Sequence, residues 1–97
     1  MASDANDITI DFKEEDVLIV KELDKEILTK GAWATILFKY QQWDRKNEKY
    51  SDDKYTIRRY QKRNNEYSQK SKFNISSRDQ ATKIIEVLSK WTAEPAD

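Results

Sequence analysis

An α+β fold is expected: one four-stranded antiparallel sheet followed by one C-terminal amphipathic helix. Three features lead there. Residues 17–23, 32–43 and the two halves of 54–75 are runs of strand length, β-branched, aromatic or alternating in polarity. Residues 77–92 instead repeat apolar side chains at helical spacing. Short polar connections favour sequential antiparallel pairing, with the helix laid on the core face of the sheet.

In chain order, residues 1–7 are small, polar and acidic, and are expected to fray. Ile8, Ile10 and Phe12 alternate with Thr9 and Asp11, which suits either a short edge strand or an extended acidic tail. Residues 17–23 (VLIVKEL) are a β-branched strand bounded by charge, and residues 24–31 a connection. Gly31 is the only glycine, placed where a positive φ or a bulge is needed at a strand start. In residues 32–43, Ala34, Ile36, Phe38 and Tyr40 line one face. Trp33, Thr35, Leu37, Lys39, Gln41 and Trp43 line the other. Both faces carry large apolar groups, so both are expected to be covered, in part by a partner chain. Residues 44–53 (DRKNEKYSDD) read as a mobile hairpin loop.

Residues 54–75 (KYTIRRYQKRNNEYSQKSKFNI) read as a hairpin whose register parity can test. Opposed residues of an antiparallel pair share a face. A two-residue loop at Asn64 and Asn65 would set Ile57 against Lys72 and mix the faces. A three-residue loop or a bulge sets Ile57 against Phe73, Tyr55 against Ile75, Arg58 against Lys72 and Tyr60 against Lys70. The simple two-residue turn is therefore rejected. Tyr55, Ile57, Phe73 and Ile75 form the expected core face. Thr56, Arg58, Tyr60 and Lys62, with Ser68, Lys70, Lys72 and Asn74, form a wet cationic face bearing an exposed tyrosine, and Arg59 points away from it. Ser77 and Gln80 then fit a capping box. Ala81, Ile84, Ile85, Leu88 and Trp91 form the helix stripe, which Val87 widens.

Ninety-seven residues make one domain with a modest core, and 11% aromatic content argues against disorder. The division expected is an acidic segment over 1–15, partly extended or disordered, a β4α domain over 16–92 and a tail over 93–97. The chain has no histidine and no cysteine, so the commonest catalytic base, nucleophile and transition-metal ligands are missing. A single glycine excludes a glycine-rich phosphate loop. A non-enzymatic protein without cofactor, metal or small-molecule substrate is expected. No run of 18 apolar residues suggests a membrane span, the start MASDANDITI lacks the pattern of a signal peptide, and a cysteine-free chain suits a cytoplasmic setting. Net charge is zero, but unevenly spread: residues 1–26 hold nine acids and three lysines, and residues 54–72 seven bases and one acid. Local field, not net charge, decides what a face attracts.

The order of four strands and one helix resembles the single-stranded-DNA-binding domain of the transcriptional coactivator Positive Cofactor Four and its bacterial relatives, over Tyr55 to about Leu88. That family's Ile-Arg-acid-Tyr-aromatic pattern is met here by Ile57, Arg58, Arg59, Tyr60 and Gln61. Its basic stretch before Gly-Ile-Ser is met by Lys70, Lys72, Phe73, Asn74, Ile75 and Ser76, at the same spacing. Gln61 replaces the aromatic and Asn74 the glycine. The resemblance implies a homodimer that grips unpaired strands along its sheets, and it favours Arg58, Lys70 and Lys72 as contacts.

The expectation is thus a single-stranded DNA- or RNA-binding homodimer, an accessory factor in transcription or DNA transactions, without strong sequence preference. Arg58, Tyr60, Lys62, Lys70 and Lys72 form its binding face, with phosphates on the bases and a nucleobase stacked on Tyr60. The alternative is a dimeric protein-interaction module. Trp33, Trp43 and Trp91 read as core or subunit contacts, with base stacking the alternative for Trp33 or Trp43.

Overall fold

A computed structural model describes residues 2–94. The strands are β1 (Phe12–Glu14), β2 (Val17–Thr29), β3 (Trp33–Asp44), β4 (Lys49–Tyr50), β5 (Lys54–Arg63) and β6 (Glu66–Ile75), followed by α1 (Arg78–Thr92). They form one antiparallel sheet in the order β1-β2-β3-β5-β6, with β4 paired to β3. The fold is α+β with a single helix at its C-terminal end. Six strands replace the expected four because the acidic run closes a hairpin, with Glu15 and Asp16 at positive φ, and because β4 pairs within the loop expected to be mobile. There Trp43 meets the Tyr50 ring edge-on at 5.0 Å, and the Tyr50 hydroxyl donates to the Leu18 carbonyl.

Parity predicted most of the β5–β6 register, but by the wrong device. Asn64 and Asn65 do form a two-residue turn, both at positive φ as a type I′ turn requires. A bulge then leaves Lys70 unpaired, so that Tyr60 faces Gln69 and not Lys70. Beyond the bulge Arg58 faces Lys72, Ile57 faces Phe73 and Tyr55 faces Ile75, as expected. One extra residue in the strand restores the parity that one extra residue in the loop would have given.

The core lies on the unexpected face. β3 sets Ala34 beside Tyr60, Ile36 beside Arg58 and Phe38 beside Thr56. Thr56 is fully buried and Tyr60 is 6% exposed, whereas Phe73, assigned to the core, is 55% exposed. The cover is the N-terminal segment. Residues 2–7, expected to fray, include a 3-10 helix (Ala5–Asp7) capped by Asp4. Ala5, Ile8 and Ile10 pack against Ala34, Ile36, Phe38, Tyr40, Tyr60 and Tyr67. Polar ties fix this strap. The Tyr67 amide donates to the Ala2 carbonyl, Lys25 Nζ to the carbonyls of Asn6 and Ile8, and Ile10 N–H and Thr9 Oγ1 to Glu22 Oε1. Residues 2–15 therefore belong to the folded domain.

The helix was expected to cover the sheet and does not. Its capping box forms: the Gln80 amide donates to Ser77 Oγ at 3.1 Å, and Gln80 Oε1 accepts from the Ser76 amide. Yet no residue of α1 is buried, and Ile85, Leu88 and Trp91 stay exposed. The chain is flat, 54 × 39 × 17 Å, with a radius of gyration of 15.7 Å against roughly 13 Å for a compact domain of about this length. The second sheet face is only partly covered: Ile75 is buried there, as expected, while Phe73 is not. Residues 93 and 94 follow the helix, while 95–97 of the expected tail lie outside the described residues. Gly31 has φ 143°, which few other residues adopt, and its carbonyl accepts from the Tyr67 hydroxyl at 2.6 Å.

Candidate nucleic-acid interface

Antiparallel pairing of β5 with β6 brings the expected cations to one hairpin but into different surroundings. Arg58 and Lys72 are directly opposed on the strapped face. Arg58 is half-buried, and its guanidinium donates to Gln69 Oε1 at 3.0 Å. Beside it the Thr56 hydroxyl donates to Asn74 Oδ1 at 2.8 Å, so the face is lined by neutral hydrogen-bonding groups. Lys72 is exposed. Lys62 is half-buried with its Nζ 5.3 Å from the centre of the Tyr67 ring. Lys70 is exposed at the bulge, out of the ladder. Among the described residues none of these four cations makes an ion pair with a carboxylate.

Tyr60 is a correction. It is a core residue under the strap and offers no exposed ring for a base. Burial pushes its phenol above the ordinary value of 10.0, while the charge and hydrogen bond of Arg58 oppose that shift. What remains open there is a cleft of about 550 Å³ between strap residues Ala2, Ser3, Asp7, Ile8 and Thr9 and the rings of Tyr60 and Tyr67.

The exposed aromatic and cationic pair lies on the opposite face. The Arg59 guanidinium stacks over Trp33, 4.6 Å from the ring centre, and both residues are exposed. Strand parity already put Arg59 opposite in direction to Arg58. The meeting with Trp33 depends on the β3–β5 register, Thr35 against Arg59 and Trp33 against Gln61, which no local pattern reveals. Trp43 is half-buried against Tyr50, a structural contact.

No group of three or more ligating side chains among the described residues could hold a metal ion. No helix among them is long and apolar enough to cross a membrane. No protein-family model, no curated protein and no solved structure matches this chain.

Proposed function

We propose that this protein is a non-enzymatic single-strand nucleic-acid-binding homodimer of the cytoplasm, an accessory factor in transcription or DNA transactions that binds without strong sequence preference. The observation that carries the reading is the Arg58–Lys72 pair. Like charges opposed across a ladder repel. Here no carboxylate pairs with either, and neutral Gln69, Thr56 and Asn74 surround them, so an anion between them would relieve the repulsion. Phosphate is such an anion, and Lys70 and Lys72 on the exposed edge strand extend the cationic track. The resemblance of residues 55–88 to the Positive Cofactor Four family points the same way. The flat shape, the bare helix stripe and the exposed Phe73 support a dimer, since one chain leaves these apolar surfaces wet.

The test is a titration of labelled oligo(dT) and of duplex DNA at two salt concentrations. Binding should favour the single strand and weaken steeply with salt. Arg58→Ala and Lys72→Ala should each reduce the slope of log affinity against log salt by nearly one released counterion, roughly 0.7 for a single strand. No binding to either nucleic acid at low salt would defeat the proposal. It would promote the second reading, a dimeric protein-interaction module, which the exposed stripe of α1 favours in its own right.

A further inference from the structure

Trp91, on the helix, is the most exposed tryptophan, but Trp33 is the exposed one on the sheet. It is 41% exposed near the end of β3. Its partner across β5 is Gln61, which in turn faces Ser68, and the next row on the same face is Thr35, Arg59 and Ser71. The groups around the stack are thus neutral hydrogen-bonding side chains. The open face also carries acids, among them Glu66, opposed to Arg63, and Glu26, opposed to Leu37. Arg59 makes no ion pair among the described residues. An arginine laid on an indole with no carboxylate paired to it presents a planar, cationic, delocalised surface. That chemistry suits a nucleobase, because every base has a π-face and stacks on aromatic rings or guanidinium planes. It also suits the adjoining phosphate.

We infer that Trp33 and Arg59 form the stacking step for an unpaired base, on the face opposite Arg58 and Lys72. This rests on the nucleic-acid reading above and moves the stacking role from buried Tyr60 to the open face. The two sets are close in space. β6 is the sheet edge, and Trp33 lies two strand spacings in from it, about 10 Å. A strand rounding that edge passes the Lys70 bulge between them.

The experiment compares oligo(dT) with an abasic oligomer of equal length, by fluorescence anisotropy at one low salt concentration. The chains are wild type, Trp33→Ala, Trp33→Phe, Arg59→Ala and Arg58→Ala, each checked for a native circular dichroism spectrum. Trp33→Ala should weaken oligo(dT) binding roughly 5- to 150-fold, the range for one stacked base, and leave abasic binding unchanged. Trp33→Phe, the variant that keeps a ring, should restore part of the loss. Arg59→Ala should weaken oligo(dT) more than the abasic strand, and Arg58→Ala both alike. If wild type binds oligo(dT) but Trp33→Ala has no effect, or weakens both oligomers equally, the stacking step is refuted while the nucleic-acid function stands. If wild type binds neither oligomer, both are refuted.

Discussion

The two faces of the β3–β5–β6 sheet are built from the same alternating strands but have opposite fates. The strapped face carries Thr56, Arg58 and Tyr60 beside Ala34, Ile36 and Phe38, and it is the core. The open face carries Leu37, Ile57 and Phe73 in one row, with Trp33 and Arg59 beside it, and only part of it is covered. On β5 and β6 alone the second face is the more hydrophobic. Burial is therefore decided by what crosses a face. A strap over residues 2–10, with Ala5, Ile8 and Ile10 as apolar anchors, captures the β3 face where Ile36 and Phe38 lie, and it takes Thr56 and Tyr60 with it. Thr56 is tolerated because its hydroxyl is bonded to Asn74. The open face keeps its apolar row free for another surface.

Three experiments can break or sharpen this contrast. The largest effect is expected at the centre of the strapped face. Phe38→Ala should cost ~3–5 kcal/mol in urea unfolding, as for a fully buried aromatic. Phe73→Ala, on the open face, should cost less than ~1 kcal/mol when dimerisation is held constant at low protein concentration. Equal costs would mean that both faces are core. Next comes association. Leu88→Asp puts a charge into the exposed stripe of α1, so it should leave the fold intact. It should also convert dimer to monomer by light scattering at tens of micromolar, since an unpaired charge in an apolar contact costs at least ~2 kcal/mol. An unchanged dimer would place the interface elsewhere, and a monomeric wild type would remove the dimer altogether.

The smallest effect is on pH dependence. Tyr60 is held protonated by burial, so its folded pKa lies above the unfolded value. Stability from this site is complete below pH 10 and declines as pH rises from the unfolded value through the raised one. Tyr60→Phe cannot ionise and should flatten that alkaline decline, measured by urea unfolding from pH 8 to 11. An unaltered decline would mean that the phenol is solvated and the strap loose.

Local pattern determined a good deal of this protein. The alternation of 32–43 and 54–75 marked β3, β5 and β6, and the β-branched run from Val17 marked β2. Ser77 and Gln80 located the helix start, because capping chemistry is a matter of neighbouring residues. Pairing parity predicted Ile57 with Phe73 and Arg58 with Lys72, since same-face matching is a property of the two strands alone. The same parity could not separate a three-residue loop from a two-residue turn plus a bulge, for both add one residue between the strands. Nor could it say which face is buried. A period of two is unchanged when a strand is turned over, so the choice rests on contacts between residues distant in the chain. Ile8 and Ile10 pack into a cluster with Ile36, Phe38 and Tyr60, and the β3–β5 ladder places Trp33 beside Arg59. Those contacts exist only once the strap has crossed the sheet and the register of β3 on β5 is set. For that reason the tertiary structure alone decided that Tyr60 is core and that Trp33 and Arg59 meet on the open face.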